Sequence, residues 1–303
     1  MKSKAIFDLR LQAGDKVFIA SPSGAIDSNY IDGAKCILES WGLCVQIGKS
    51  ASEKYGRFGG TQEQRIADLQ QALDDADTKA ILCSRGGYGI VQIVDKLDFS
   101  KFIESPKWLM GFSDVTVLHA AIGNLGIPSL HCIMAKHLSE LDPSSDPVIR
   151  LKNVLFGNLP VYKLNRNSLN RQGIATGKLI GGNLSVFLGL RGTKYDLDFS
   201  GAILFLEEIS EQPYHIDRMM QNLRISGALS QLAGLVVGQF TDCPEDAQMM
   251  KTVHEIILDS VADYGYPVCF DFPAGHVDYN LPLVLGATVL LEVSVENVQL
   301  KYI

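Results

Sequence analysis

The chain has 303 residues, a formal net charge of −7 and no Lys/Arg-rich run, a balance that argues against nucleic acid as a partner. Its 47% hydrophobic and 20% charged residues suit a globular protein with a large core, and its length exceeds one usual core, so two domains are expected. No apolar run is long enough to span a bilayer, and Met1–Asp8 lacks the apolar stretch and cleavage pattern of a secretory leader, so no membrane association is expected and the cytoplasm is the expected compartment.

The first half alternates strand and helix patterns. Lys16–Ala20 is a short apolar run ending in the loop signal Ser21-Pro22-Ser23-Gly24. A helix is predicted over Tyr30–Trp41, with Ile31, Ala34, Ile37, Leu38 and Trp41 on one face, and Gly42 stops it. Strand Leu43–Ile47 and the glycine-rich loop Gly56–Gly60 come next. Thr61 with Gln64 forms a capping box that opens a helix to about Asp75. Strand Lys79–Cys83 runs into Ser84-Arg85-Gly86-Gly87-Tyr88-Gly89, followed by a predicted helix to about Leu97. The strand Trp108–Phe112 turns into a helix over Asp114–Leu125, stopped by Gly126. Continuous apolar strands separated by helices predict a parallel sheet covered on both faces. Ligands bind such sheets at the carboxyl ends of the strands, where the loops Ser21–Gly24, Ser84–Gly89 and Gly111–Asp114 all fall.

From about residue 140 to 172 the pattern is less regular, with polar clusters at Asp142–Asp146 and Asn165–Arg171. The domain boundary is placed here, dividing 1–160 from 161–303. In the second half, Gly177–Ser185 reads as a strand, a glycine turn and a helix start. Ala202–Glu208 is a strongly apolar strand ending in two acids, and a helix follows around Tyr214–Ile225. Leu235–Gly238, Val268–Phe270, Ala287–Val293 and Asn297–Tyr302 read as strands, the last two as a terminal hairpin.

The six cysteines, Cys36, Cys44, Cys83, Cys132, Cys243 and Cys269, form no C-x-x-C pair and read as buried free thiols. No phosphate-loop motif occurs, nor a dinucleotide fingerprint after the first strand, nor H-E-x-x-H, so no cofactor or metal is expected.

One stretch points to covalent chemistry. In Trp108–Thr116 a short apolar strand turns abruptly into a helix with Ser113 at the turn. A helix N-terminus offers unpaired N–H groups and a favourable dipole for an oxyanion, the setting that a serine nucleophile needs. The spacing is near the G-x-S-x-G elbow, with Val115 in place of the last glycine. Taken locally, the same serine also reads as a plain N-cap.

A serine nucleophile needs a base, and the base needs a carboxylate to orient it. Of the histidines, His119 lies within the helix and reads as packing, His254 as a surface residue, and His215 as a helix cap. His276 lies in the loop Phe272–Asn280 after an apolar strand, where a base could reach a strand edge. The acid is Glu207 or Glu208, which face opposite sides of their strand, so only one can serve.

Ala20–Gly24, Ser84–Gly89, Gly111–Asp114, Ile180–Ser185, Phe205–Glu208 with Tyr214–Arg218, and Gly275-His276 with Asn280 occur in an order that resembles the LD-carboxypeptidase family of serine peptidases, from about Gly14 to Lys301. The resemblance implies an α/β chain: an N-terminal flavodoxin-like parallel-sheet domain plus a C-terminal mixed, β-rich domain, with the active site at their interface. It implies a triad of Ser113, Glu207 and His276. It further implies an oxyanion hole from the N–H groups of Asp114 and Gly87, with Gly86 the close rival. Homodimers are usual in the family. Two departures stand out. His131-Cys132-Ile133-Met134 replaces a frequent His-Gly-Pro-Met with bulkier residues, and Glu208 stands where aspartate is common.

A carboxypeptidase must recognise a terminal carboxylate, for which an arginine fork is suited. Arg85 is the candidate, a structural salt bridge being its alternative role. Arg218 reads as structural. The substrate class implied is a murein tetrapeptide losing its terminal D-alanine in peptidoglycan recycling. The alternative within the family is an aminoacyl-nucleotide antibiotic of the microcin C type. Members of that type are expected to carry an added loop with an aromatic residue, and this chain has only Trp41 and Trp108, both in predicted core elements. A third reading, from another class, is a non-catalytic protein that binds cell-wall peptides.

Overall fold

The computed structural model describes residues 9–303, so the segment Met1–Asp8 read above for a leader lies outside the described residues. Two compact units emerge: residues up to Leu159 together with Asp278–Val284, and Pro160–Val277 together with Leu285–Ile303.

The first unit contains β1 (Lys16–Ala20), α1 (Ser28–Ser40), β2 (Cys44–Ile47), α2 (Gln62–Asp74), β3 (Thr78–Cys83), α3 (Ser100–Glu104), β4 (Trp108–Gly111), α4 (Thr116–Asn124), β5 (Ser129–His131), α5 (Ala135–Glu140) and α6 (Asp146–Leu155). Its sheet runs Leu283–Leu285, β5, β4, β3, β1, β2. Pairs β1–β2, β1–β3, β3–β4 and β4–β5 are parallel, the flavodoxin-like order. The near-continuous apolar runs of β1, β3 and β4 are explained by burial on both faces.

Local chemistry sets the ends of α2. Gln64 N–H donates to Thr61 Oγ1 at 3.3 Å and Thr61 N–H donates to Gln64 Oε1 at 2.7 Å, the predicted capping box. At the other end the buried Lys107 ammonium donates to the carbonyls of Ala72, Leu73 and Asp75 at 3.1, 2.9 and 2.6 Å. Orphan carbonyls at a helix C-terminus suit a cation. Burial lowers the Lys107 pKa to about 8.

Two elements differ from expectation. The single helix predicted after Gly89 is instead a pair of 3₁₀ turns, Ile90–Gln92 and Val94–Lys96. Gly89 has a φ of 139°, and the Ile90 N–H is taken by a side chain, Asp114 Oδ2, at 3.0 Å. The irregular stretch contains α6, whose buried Val148, Leu151, Val154 and Leu155 share one face.

The second unit contains β6 (Val161–Asn165), β7 (Gly173–Asn183), α7 (Leu184–Leu188), β8 (Ile203–Ile209), α8 (Pro213–Ile225), β9 (Gly234–Thr241), α9 (Val253–Ser260), β10 (Val268–Cys269), β12 (Thr288–Val293) and β13 (Asn297–Tyr302), while β11 (Leu283–Leu285) is the strand that completes the first sheet. The sheet order is β10-β9-β8-β7-β12-β13-β6. From β10 to β7 the pairs are parallel, and from β7 to β6 they are antiparallel, so the sheet is mixed. The terminal hairpin β12–β13 forms as predicted. The glycine turn predicted at Gly181-Gly182 does not form, because β7 runs straight through both residues. Gly181, at φ 119°, lies against the Phe205 carbonyl of β8, where any Cβ would collide. Glycine here serves close approach within a strand.

Among the described residues no helix is long and apolar enough to cross a membrane. The thiols only partly follow expectation. Cys83, Cys132 and Cys269 are buried, Cys243 is half-buried, and Cys36 and Cys44 are exposed because they lie on the solvent-facing positions of α1 and β2.

Candidate active site

In the first unit, β4 ends at Gly111, Phe112 is extended, and Ser113 adopts φ 66°. A serine in the left-handed region is uncommon and signals backbone held by its surroundings. The chain then makes a 3₁₀ turn, Ser113–Val115, that leads into α4. Neither helical segment has a side-chain cap, so the plain N-cap role for Ser113 is not what the fold uses.

Packing explains why the elbow is sharp. A Cβ on Gly111 would lie 2.9 Å from Val115 Cγ2 and 3.2 Å from Cys83 Cβ. The Gly111 carbonyl accepts from the Cys132 N–H at 3.2 Å and from His119 Nε2 at 2.9 Å. A neutral imidazole that donates through Nε2 must accept through Nδ1, which meets the Ser129 hydroxyl at 2.8 Å. Burial pushes the His119 pKa down to about 4, which keeps the ring neutral. Cys132 and Ile133, the residues that depart from the family pattern, are fully buried, so this departure is a matter of core packing behind the elbow.

The loop after β3 faces the serine. A Cβ on Gly86 would sit 2.7 Å from Ser113 Cβ and 2.9 Å from its Oγ. The backbone N–H groups of Gly86 and Gly87 make no hydrogen bond among the described residues. The Gly86 carbonyl accepts from the Gly24 N–H at 3.1 Å, tying this loop to the one after β1. The buried Asp114 carboxylate makes a second tie. Its Oδ2 accepts from the Ser23 hydroxyl at 2.6 Å and from the Ile90 N–H at 3.0 Å. Burial raises the Asp114 pKa, against the lowering effect of those bonds and of the Arg65 charge.

Arg65 supplies a third tie. Its Nη1 donates to the Pro22 and Gly89 carbonyls at 2.9 and 3.0 Å, and its Nη2 to Gln92 Oε1 at 3.1 Å. The guanidinium lies 4.7 Å from the centre of the Phe58 ring. Sequence reasoning passed over Arg65 and Ser23. A signal for Arg65 existed, since Arg65 and Asp68 fall on the same stripe of α2 as the buried Leu69, Ala72 and Leu73. Arg85 is exposed and donates from Nη1 to the Ala25 carbonyl at 2.7 Å. It makes no ion pair with a described residue, so the salt-bridge role is not the one that holds it.

The second unit holds the acid and the base. Glu207, on β8, is fully buried, and its Oε2 lies 2.7 Å from His276 Nδ1. Two glycines make room for it. A Cβ on Gly275 would lie 3.0 Å from Glu207 Oε2, and one on Gly238 3.1 Å from Glu207 Cβ. Glu208 faces the other side, where its Oε1 accepts from Asn183 Nδ2 at 2.8 Å and its Oε2 from the Ser185 N–H at 2.7 Å. The alternation of strand side chains thus divides the two acids: Glu208 braces the start of α7, and Glu207 engages the histidine. Burial works to lower the His276 pKa, but the hydrogen bond and charge of Glu207, with the charge of Glu208, outweigh it and the net shift is upward.

His215 and His254 have structural surroundings. His215 Nδ1 meets Glu211 Oε2 at 2.5 Å at the start of α8, and His254 Nε2 meets Asp271 Oδ1 at 2.8 Å. Among the described residues no cluster of His, Cys, Asp and Glu is placed to hold a metal ion.

Comparison with known proteins places these features in a family. The N-terminal domain profile of the LD-carboxypeptidases matches residues 17–132, and the C-terminal domain profile matches residues 176–291. The murein tetrapeptide carboxypeptidase of Pseudomonas aeruginosa is 32% identical over 291 residues, covering 91% of this chain and 93% of that protein. The crystal structure of muramoyltetrapeptide carboxypeptidase from Oxalobacter formigenes superposes with a TM-score of 0.87 at 27% identity, covering 95% of this chain and 98% of that one. The microcin C7 self-immunity protein MccF shares the fold, with a TM-score of 0.85 at 20% identity and coverage of 96% and 97%. Both halves of the chain match consecutive domains of one family, and the chain therefore belongs to the LD-carboxypeptidases.

Proposed function

We propose that this protein is a serine LD-carboxypeptidase that releases the terminal D-alanine of a murein tetrapeptide, with Ser113 as nucleophile, His276 as base and Glu207 as the carboxylate that orients it. The observation that carries the reading is Ser113 at φ 66° on a strand-to-helix elbow, with its hydroxyl facing the glycine turn after β3. Strain of this kind persists where surrounding structure holds a group for use.

In this mechanism His276 takes the proton from the Ser113 hydroxyl as its oxygen attacks the carbonyl of the L,D-amide bond. Nδ1 of His276 carries the proton donated to Glu207, which leaves Nε2 as the basic nitrogen. The tetrahedral oxyanion is met by backbone N–H groups of Asp114 and of the glycine turn, Gly87 or its neighbour Gly86. Each such donor contributes on the order of 3 kcal/mol to the transition state. His276 then protonates the leaving amine of D-alanine, and water activated by the same ring hydrolyses the acyl-enzyme. Arg85 engages the terminal carboxylate. The same reading places the protein in the cytoplasm as a homodimer, a state that sedimentation of the purified protein tests.

The test of the reaction is release of D-alanine from L-Ala-γ-D-Glu-meso-diaminopimelate-D-Ala by wild type and by Ser113→Ala. Release by wild type alone supports both reaction and nucleophile. Release by both overturns the role of Ser113. Release by neither overturns the murein substrate and brings forward aminoacyl-nucleotide substrates or a purely peptide-binding role.

A further inference from the structure

Next to the glycine turn, the first unit carries a cleft of about 710 Å³ whose walls include Lys54, Arg57, Arg85, Gly87 and Tyr88. Its one acid, Asp27, is engaged elsewhere: Oδ1 accepts from the Asn29 N–H at 2.9 Å and caps α1. Lys54, Arg57 and Arg85 make no ion pair with a described residue. In a chain of net charge −7, three unpaired cations converging on one concavity are not an ordinary solvated surface. They repel one another unless an anion lies between them.

The two arginines are held as a pair by a single residue. The Ala25 N–H donates to the Arg57 carbonyl at 2.9 Å, and the Ala25 carbonyl accepts from Arg85 Nη1 at 2.7 Å. Arg57 also sits inside a tight turn closed from both sides, Tyr55 N–H to the Phe58 carbonyl at 2.9 Å and Phe58 N–H to the Tyr55 carbonyl at 3.0 Å. Fixing the Arg57 backbone and the Arg85 guanidinium beforehand lowers the ordering cost of binding an anion. The cleft is also far larger than a terminal alanine requires.

We propose that the cleft is a subsite for a second carboxylate of the substrate, with Arg57 and Lys54 as specificity-determining residues, so that the enzyme selects peptides whose third residue carries a side-chain carboxylate. This rests on the murein reading above. The residue whose carbonyl is attacked is fixed beside Ser113 and Gly86, and Gly87 is a wall of the cleft. The side chain of that residue is therefore the part of the peptide next to the cations. Arg85 serves the terminal carboxylate, and Arg57 offers a second planar fork for bidentate pairing.

The test compares D-alanine release from two tetrapeptides that differ only at the third residue, meso-diaminopimelate or L-lysine, by wild type, Arg57→Gln and Arg57→Lys. Wild type is expected to prefer the diaminopimelate peptide at least about tenfold in kcat/KM, the scale of one charge-assisted contact. Arg57→Gln should reduce that preference about tenfold, and Arg57→Lys should restore part of it. Equal kcat/KM for the two peptides in wild type, or an undiminished preference in Arg57→Gln, overturns the subsite and leaves the murein reading standing. If wild type releases alanine from neither peptide, the murein reading fails, and binding of the two peptides to Ser113→Ala decides the subsite. Tighter binding of the diaminopimelate peptide that Arg57→Gln abolishes upholds it. Equal or undetectable binding overturns it.

Discussion

The Asp114 carboxylate and the Ser23 hydroxyl meet at 2.6 Å although 91 residues separate them in the chain. Together with the Ile90 N–H on the same oxygen, this contact binds the loops after β1, β3 and β4 into one rigid edge. Asp114→Asn keeps an acceptor oxygen for both donors, whereas Asp114→Ala leaves a buried N–H and a buried hydroxyl unsatisfied. The alanine variant should lose roughly 2–4 kcal/mol of stability and about a hundredfold in kcat, and the asparagine variant far less of both. Denaturant melts and D-alanine release check this, and equal losses in the two variants would show that charge and not hydrogen bonding matters.

A second prediction concerns pH. In the proposed mechanism the His276 imidazole must be neutral to accept the proton of Ser113, and its pKa stands above the ordinary 6.5. The acid limb of kcat/KM should therefore lie above that value. Glu207→Gln removes the charge that raises it, so the limb should move down while the rate at its plateau falls by about a thousandfold. For stability the sign is opposite to that of activity. The imidazolium–Glu207 pair contributes fully below the unfolded pKa of His276 and is lost as pH rises through the raised folded value.

Gly86→Ala tests the steric relation between the glycine turn and Ser113, the proposed nucleophile. Its φ is not in the left-handed region, so the cost lies in the added methyl group, which would sit 2.9 Å from Ser113 Oγ. Activity should fall at least about a hundredfold for a displacement on the order of 1 Å, with a melting transition that remains cooperative. Near wild-type activity would mean that the turn does not face the serine as described.

His119 makes the elbow sensitive to acid. Its folded pKa of about 4 lies below the ordinary 6.5, so its contribution to stability is present above the unfolded value and lost as pH falls toward 4. The loss amounts to roughly 3 kcal/mol. His119→Gln cannot titrate, and its melting temperature should fall less than that of wild type between pH 7 and pH 4. An identical acid-induced decline in both proteins would exclude His119 as the source.

How far these features are legible in sequence depends on their range. Local signals carried well. The Thr61–Gln64 box, the buried strands and the opposite faces of Glu207 and Glu208 all follow from adjacent residues. The polar run Asp142–Asp146 hid α6, because it contains that helix's own N-terminal cap, Ser145, and first residue, Asp146. Gly181-Gly182 reads locally as a turn, and only the approach of the Phe205 carbonyl on β8 explains Gly181. Arg65 lies on the buried stripe of α2, but its role shows only when the carbonyls of Pro22 and Gly89 are brought to it by two separate loops.

The strand Leu283–Leu285 has a consequence for how the protein is made. It lies on the outer side of β5, and residues Asp278–Val284 belong to the first unit although the second unit is encoded between them and Leu159. During synthesis the edge of β5 therefore stays open until nearly the whole chain has left the ribosome. An open strand edge invites pairing with other chains. A gene fragment that stops near residue 159 encodes a sheet without its border, so one cut at the apparent domain junction leaves the strand that completes the first sheet on the other piece.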